Sequence, residues 1–182
     1  LAPETIGATA VHFLLESGWV PLELRQSYLE VTRALLQAIN AAFAAAKSYR
    51  PIRLHGDCHP GNILWTPGGP HFVDLDDAVN GPAIQDLWML LSGEPGERAI
   101  QLSFILEGYQ MFADFDSRQL ALIEPLRSLR MIHYAAWLAR RWDDPAFPSA
   151  FPWFTTPQYW QDHINSLEHQ IAILAEPPIP RL

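Results

Sequence analysis

The sequence lacks several features that would each point to a particular class of protein. Its single cysteine, Cys58, excludes an internal disulfide and is typical of a reducing compartment. No apolar stretch approaches the ~20 residues of a membrane-spanning helix, and the N-terminus has neither the basic start nor the small-residue cleavage site of a signal peptide. We therefore expect a cytoplasmic protein with no membrane partner.

Positive charge is also scarce. Twelve Lys and Arg residues stand against twenty Asp and Glu residues, which gives a formal net charge of -8. An acidic surface repels nucleic acid and anionic lipid, so we expect neither as a partner. Hydrophobic residues make up 49% and charged residues 18% of the 182 residues, which predicts one compact globular body. We also expect the protein to be a monomer.

What the sequence does contain is a polar motif at residues 55–62, His-Gly-Asp-Cys-His-Pro-Gly-Asn. Its two glycines and one proline favour a loop. Asp57 and Asn62 lie five positions apart, which is the spacing of the catalytic Asp and the metal-binding Asn in protein kinases. Asp57 is therefore the candidate base for a substrate hydroxyl. Cys58 is interpreted as a packing residue, because acidic neighbours disfavour a thiolate.

A predicted β-hairpin connects this motif to a second acidic residue. Residues 63–65 and 71–73 are predicted strands joined by a turn rich in Gly and Pro. The hairpin starts after Asn62 and ends before Asp74, so both residues are expected at the same end. Magnesium usually takes one or two carboxylates together with phosphate oxygens and water. The sequence therefore predicts that Asn62 and Asp74 hold Mg²⁺ on the phosphates of ATP, with Asp57 and Asp74 as catalytic residues.

Two alternative interpretations were weighed against this one. His55, Asp57 and Asn62 could be ordinary turn residues that bond local backbone groups. Alternatively, His55, Asp57 and His59 could bind zinc, since imidazole and carboxylate suit that metal. The joint presence of Asp57, Asn62 and an Asp at the next strand end, Asp74, favours a catalytic site. Zinc binding would explain neither Asn62 nor Asp74. We expect structural roles for the two histidines, and Asp76 is either an accessory metal carboxylate or simply solvated.

These motifs resemble a known group of phosphotransferases. The run H-G-D-x-H-x-G-N-I-L, followed by V-D-L-D-D and G-P-A-I-Q-D-L, resembles the aminoglycoside phosphotransferase and choline kinase branch of the protein-kinase-like fold. Residues 137–142 and 151–153 are similar to the stress response kinase A family in that branch, the YihE-type bacterial serine/threonine protein kinases. The resemblance implies an ATP- and magnesium-dependent stress-response kinase that transfers the γ-phosphoryl group to a Ser or Thr hydroxyl of a protein substrate. It also implies that Asp86 bonds to the backbone of the catalytic loop.

The fold expected from the resemblance is of the α+β class and mainly α-helical: the C-terminal lobe of a protein-kinase-like fold with a small catalytic β-hairpin. Thr5 and Ser117 are predicted helix N-caps, Asn80-Gly81-Pro82 a break in the chain, and residues 145–157 an irregular aromatic loop. The apolar periodicity predicts helices over residues 5–17, 21–47, 84–91, 98–113, 117–141 and 158–174.

Two parts of a complete kinase are missing from the sequence. Its ten glycines never form G-x-G-x-x-G, and its only lysine, Lys47, lies just before the catalytic strand rather than a whole small lobe earlier. We interpret residues 1–182 as a fragment that lacks the N-lobe, its expected partner in holding ATP. Alone it should bind ATP weakly and be inactive.

Two other functions share this sequence pattern. The same catalytic residues serve small alcohols and amino alcohols, so a phosphotransferase similar to aminoglycoside, choline or homoserine kinases is the first alternative. A non-catalytic lobe that binds a partner is the second. The presence of all three candidate residues disfavours it.

Overall fold

The computed structural model describes residues 3–46 and 49–180, and these residues are mainly helical. Its helices and strands, in chain order, are α1 Pro3–Glu16, α2 Arg25–Ala45, β1 Ile52–Leu54, β2 Ile63–Thr66, β3 Gly69–Phe72, β4 Val79–Gly81, α3 Ile84–Trp88, α4 Pro95–Gln110, α5 Ile123–Arg140, α6 Ala146–Ala150 and α7 Pro157–Leu174. The prediction of a mainly helical α+β chain is confirmed. None of the described helices combines the length and the apolar character that crossing a membrane requires.

The chain divides into two compact units. The helical unit comprises residues 3–45 and 124–176, and the mixed unit comprises residues 46–123 with the tail from Pro177. All four strands lie in the mixed unit, and so do all the candidate site residues. The chemistry predicted from the sequence is therefore confined to one of the two units.

Helix α2 provides the central element of the helical unit. The predicted apolar stripe is confirmed, because Tyr28, Val31, Leu35 and Ile39 are at most 5% exposed. Their spacing of three and four places them on one face of the helix, and this helix packs against α1 and α7. Helix α2 starts only at Arg25, after a 3₁₀ turn, and Lys47 lies outside the described residues.

Aromatic residues fill much of the rest of this unit. Phe154 is fully buried, and its ring centroid lies 5.1–5.5 Å from those of Trp19, Trp142, Tyr159 and Trp160. Such distances are typical of tilted and edge-to-face aromatic pairs. The aromatic segment 145–157 therefore contributes directly to the core of the helical unit.

Several predicted helix boundaries were wrong for identifiable reasons. Thr5 is not an N-cap, because α1 already begins at Pro3. Asp116, and not Ser117, caps the next predicted start by accepting the Arg118 N–H, and a 3₁₀ turn follows. The α-helix starts only at Ile123, since Pro125 has no N–H to donate to the preceding turn.

The aromatic segment is also less irregular than predicted. Residues Ala146–Ala150 form the short helix α6. Asp144, two residues before this helix, bonds to its first turn: its side chain accepts the Ala146 N–H at 2.9 Å and its carbonyl accepts the Phe147 N–H at 2.9 Å.

The mixed unit contains two antiparallel pairs of strands. Strands β2 and β3 form the predicted hairpin, with Ile63 opposite Phe72. Strand β1 pairs with β4, with Arg53 opposite Asn80. The predicted break at residues 80–82 was therefore wrong, because Asn80 and Gly81 form strand β4. Helix α3, which follows β4, ends at Trp88 rather than at residue 91.

Helix α4 packs through a different face from the one its large residues suggest. The apolar pattern predicted for residues 98–113 consists of Ile100, Phe104, Ile105, Tyr109 and Phe112. Of these, Ile105 and Tyr109 are partly buried, whereas Ile100 and Phe104 are 51% and 69% exposed, and Phe112, beyond the end of α4, is 89% exposed. Ala99 and Leu102, together with Leu106, are buried instead. The buried face of this helix is therefore rotated from the predicted one, which periodicity alone does not reveal.

Candidate active site

The catalytic loop, residues 55–62, follows strand β1 and is held by helix α3. Asp86 accepts the His55 N–H at 2.7 Å with one carboxylate oxygen and the Gly56 N–H at 2.9 Å with the other. The Gln85 side-chain amide donates to the Gly56 carbonyl at 2.9 Å. The structural role expected for Asp86 is thus confirmed. Hydrogen bonds to a charged acceptor are stronger than neutral ones, so this carboxylate fixes the start of the loop.

Gly56 is required at this point of the loop for two reasons. Its φ angle of 91° lies in the left-handed region, which glycine adopts without steric cost. A β-carbon there would also collide with the carbonyl oxygen of Asp77. The loop can therefore approach the chain that follows the hairpin only with glycine at this position.

Asn62 is oriented by Asp57. Its side-chain nitrogen donates to the Asp57 carbonyl at 3.0 Å and lies 3.5 Å from the Asp57 carboxylate. Asn62 is only 9% exposed, and within the described part of the chain its side-chain oxygen accepts no hydrogen bond. Because the nitrogen is committed to Asp57, the oxygen is the atom left to bind a ligand.

His59 lies on the other side of the Asp57 carboxylate. Its Nδ1 accepts the Gly61 N–H at 3.0 Å, so a neutral ring carries its proton on Nε2. This Nε2 lies 3.5 Å from the Asp57 carboxylate oxygen Oδ2. The ring therefore presents a donor to the candidate base, which agrees with the structural role expected for His59.

His55 connects the catalytic loop to the end of the hairpin. Its Nδ1 lies 3.4 Å from the Asp57 backbone N–H, and its Nε2 lies 2.8 Å from the Val73 carbonyl oxygen. On the other side, the Val73 N–H donates to the Asn62 carbonyl at 3.0 Å. Val73 is thus bonded to both ends of the loop, and Asp74 is the next residue. The hairpin prediction is confirmed in this respect, since it brings residues 62 and 74 to the same end.

The backbone of Asp74 has an unusual conformation. Its φ angle is 63°, and it is the only non-glycine residue with a positive φ in the part of the chain described. Left-handed conformations cost little for Asp, but they are uncommon outside glycine and often occur at functional positions. Asp76 and Asp77 follow in the same exposed segment, closed by a turn in which Ala78 N–H donates to the Leu75 carbonyl.

The donor atoms of this site fit magnesium better than zinc. Among residues 3–46 and 49–180, no three His, Cys, Asp or Glu side chains form a group suited to a metal ion. Both ring nitrogens of His55 also lie within hydrogen-bond distance of backbone groups, so His55 is not available as one of the three ligands that a zinc site would need. The side-chain oxygen of Asn62 and the exposed carboxylate of Asp74 are oxygen donors of the kind magnesium prefers.

Cys58 does not contribute a nucleophile to the site. The residue is 6% exposed. Burial, with the negative charges of Asp86 and Asp57, raises the pKa of its thiol to about 11. The structure agrees with the predicted packing role, because a thiol with this pKa is neutral near pH 7.

Gln85 and the backbone of Val73 are the functional groups that the sequence reasoning missed. The only local signal for the role of Gln85 was its position next to Asp86 in a short helix. No local signal marks a backbone carbonyl such as that of Val73. Both hold the loop, and neither belongs to a residue type that suggests chemistry.

Comparison with known proteins agrees with the geometry of the site. Residues 7–123 match the model of a phosphotransferase enzyme family, which is more than half of the chain and includes every candidate site residue.

Individual relatives are similar over most of the chain. Stress response kinase A of Escherichia coli O157:H7 is 50% identical over 160 residues, which is 88% of this chain and 48% of the relative. Serine/threonine protein kinase RdoA of Salmonella typhimurium is 49% identical over 164 residues, which is 90% of this chain and 49% of the relative. The stress response kinase A of Shigella flexneri is 49% identical over 160 residues. The chain spans about half the length of the curated relatives it matches.

Proposed function

Because this chain belongs to the phosphotransferase enzyme family, we propose that it carries the catalytic residues of an ATP- and magnesium-dependent serine/threonine protein kinase of the stress response. The fold is proposed to be the C-terminal lobe of a protein-kinase-like architecture, in a monomeric cytoplasmic protein. The names of the relatives support the choice of kinase and of stress response.

The observation that carries the proposal is the two-sided anchoring of Val73. One hydrogen bond of 2.8 Å joins its carbonyl to His55, and one of 3.0 Å joins its N–H to Asn62. These bonds fix the residue before Asp74 against the loop that carries Asp57. The Asp57–Asn62 pair and the backbone that precedes Asp74 therefore belong to one hydrogen-bonded assembly, and transfer between two bound substrates requires reacting groups to be positioned in this way.

Asp57 is proposed to be the catalytic base. Its carboxylate lies 3.5 Å from both Asn62 Nδ2 and His59 Nε2, and these two neighbours orient it. In this position it would accept the proton of a Ser or Thr hydroxyl as the oxygen attacks the γ-phosphorus of ATP and the bond to the β–γ bridging oxygen breaks, so that ADP leaves. General-base catalysis of this kind contributes ~100- to 10,000-fold in rate.

Asn62 and Asp74 are proposed to hold the metal. The side-chain oxygen of Asn62 and the carboxylate of Asp74 would supply two oxygen ligands, and phosphate oxygens and water would complete the coordination. A bound magnesium ion neutralises charge on the phosphates during transfer. His55 contributes by holding Val73 and so limiting the positions that Asp74 can take.

Magnesium dependence tests this part of the proposal. In the full-length protein, Asp74→Asn should raise the Mg²⁺ concentration for half-maximal transfer by about tenfold or more, because one anionic ligand is lost. Transfer from labelled ATP would be measured across a Mg²⁺ titration. Asp143→Asn, an exposed Asp in the helical unit, is the matched control and should leave the titration unchanged. Equal titrations for Asp74→Asn and the parent would reject the metal assignment.

A phosphotransferase for small alcohols is the second candidate, because the matched family model names a phosphotransferase without specifying its acceptor. Labelled ATP would be incubated with the full-length protein and either casein or a mixture of kanamycin and choline. Transfer to casein alone supports the protein kinase, whereas transfer to the small alcohols alone overturns it in favour of the second candidate.

A further inference from the structure

The mixed unit contains an open cavity of about 560 Å³ where the chain enters strand β1. Arg50 and Arg53 line it from β1 and its approach, and Tyr109, Asp114 and Gln119 line it from the end of α4 and the segment that follows. None of the candidate catalytic residues lines this cavity. Its volume falls within the range of small-molecule sites, about 300 to 1,000 Å³.

The side chains of the cavity provide several unused hydrogen-bond donors. Arg50 and Arg53 are exposed and form no ion pair with any residue in the described ranges. Gln119 is only 5% exposed, and its side-chain oxygen accepts the Ile84 N–H at 3.3 Å. Its NH₂ group donates to no described residue. A ligand that brings an acceptor to this NH₂ group would satisfy it.

Two arginines and two aspartates line the cavity, and one of these aspartates is paired with an arginine outside the lining. Asp116 accepts two side-chain hydrogen bonds of 2.8 Å and one backbone hydrogen bond of 3.0 Å from Arg118. Asp114 is the remaining acidic group, against two arginines. This balance favours an anionic group near the arginines, while Asp114 could accept a hydroxyl or amine of the same ligand.

Apolar atoms form the rest of the lining. Pro51, Ile52 and Ala83 are the apolar residues of the lining, and Tyr109 lies beside them. A surface of this kind favours a ligand with an apolar body, since small-molecule sites combine apolar walls with a few placed polar groups.

We propose that this cavity binds a small organic anion, with one carboxylate or phosphate group on an apolar body. The anionic group binds Arg50, Arg53 and the Gln119 NH₂ group, and the body packs against Ile52 and Ala83. Arginine suits both kinds of anion because its planar donors can form paired hydrogen bonds with them. The site is separate from the proposed phosphoryl-transfer site and does not depend on that function.

Calorimetric titration of the full-length protein tests the proposal, with saturating Mg-ATP present to occupy the candidate active site. The probes are phenyl phosphate, benzoate, inorganic phosphate and benzyl alcohol. One aromatic anion should bind with 1:1 stoichiometry, and which of the two binds distinguishes phosphate from carboxylate. Inorganic phosphate should bind more weakly and benzyl alcohol should not bind detectably, since each lacks one half of the recognised chemistry. Absence of binding by both aromatic anions, or equal binding of benzyl alcohol, would overturn the proposal.

Substitutions then locate the bound anion. Arg50→Gln and Arg53→Gln should each weaken binding by about tenfold or more, the value of one charged hydrogen bond. Arg33→Gln, at an exposed arginine of α2, is the matched control and should have no effect. Ala113→Trp, at an exposed lining position, should block the cavity without removing any charge. This variant tests the site even if an arginine variant fails to fold. Unchanged affinity in Ala113→Trp would place the anion elsewhere and reject the site.

Discussion

The two units of this chain are held in shape by different interactions. In the mixed unit, the catalytic loop is fixed by hydrogen bonds between backbone atoms and the side chains of Asp86, which accepts, Gln85, which donates, and His55. The helical unit is instead stabilised by the packing of apolar side chains, and the ring of Phe154 is enclosed by other aromatic rings.

Because of this difference, the interactions that set the geometry of the site are not the ones that contribute most to the free energy of unfolding. Hydrogen bonds have preferred directions, so they specify where Asp57 and Asn62 lie, but each contributes only about 1 kcal/mol net. Aromatic burial has little directional preference, yet a large buried ring contributes several kcal/mol. Substitutions in the mixed unit should therefore change activity more than stability, and substitutions in the helical core should do the reverse.

The largest expected effect is the loss of transfer activity in Asp57→Asn. Removal of the base should lower the rate ~100- to 10,000-fold, whereas the free energy of unfolding should change little because the amide retains the shape of the side chain. Initial rates with labelled ATP and a thermal unfolding scan of the full-length protein would measure both. Asp143→Asn is again the control, and near-parental activity in Asp57→Asn would reject its role as the base.

The opposite result is expected for Phe154→Ala in the helical core. Loss of this fully buried ring should lower the free energy of unfolding by ~3–5 kcal/mol, measured by urea denaturation. Activity per folded molecule should be retained at low temperature, since no candidate site residue lies in this unit. Phe112→Ala, at a ring that is 89% exposed, should cost less than ~0.5 kcal/mol. If both substitutions cost the same, packing would not be what stabilises the helical unit.

The same contrast explains what the sequence could predict. The catalytic loop and the hairpin are local features, so turn residues and strand patterns place Asn62 and Asp74 at one end without knowledge of the rest. The role of Asp86 followed only from the resemblance, because nothing in its local pattern reveals a bond to an amide 31 positions away.

The features that could not be predicted depend on contacts between distant segments. Strand β4 has a turn-like sequence and is a strand only because β1 provides a partner. The buried face of α4 is set by the elements that pack against it, so Ala99, Leu102 and Leu106 are buried while Phe104 is exposed. Propensity carries little information about either, since tertiary context overrides it.

A pair of glycines provides a sharper test of the mixed unit. Gly56 and Gly69 both have positive φ angles, 91° and 113°, but a β-carbon meets the Asp77 carbonyl at Gly56 and nothing within 4 Å at Gly69. Gly56→Ala should therefore lower the free energy of unfolding by ~1–3 kcal/mol more than Gly69→Ala does. Urea denaturation of the two variants measures the difference directly.

Equal costs for the two glycine variants would show that backbone conformation alone matters and that the close approach at Asp77 does not. Transfer activity should distinguish the two glycine variants further. Gly56→Ala displaces the loop that carries Asp57, so it should lower transfer even where the protein is fully folded, whereas Gly69→Ala changes only the hairpin turn.

The smallest expected effect is a pH dependence of stability that arises in the helical unit. His163 packs parallel to Tyr159, and burial lowers the pKa of its imidazole from 6.5 to about 4. Between these values the unfolded chain binds more protons than the folded one, so this contribution to stability is complete above about pH 7 and is lost as the pH falls toward 4. By about pH 5.5 the loss should be on the order of 1 kcal/mol.

Urea denaturation at several pH values would detect this loss of stability. His163→Phe, which keeps an aromatic ring against Tyr159 but cannot titrate, should remove that part of the slope of stability against pH. An unchanged slope in this variant would mean that other groups, and not the buried imidazole, make the helical unit sensitive to acid.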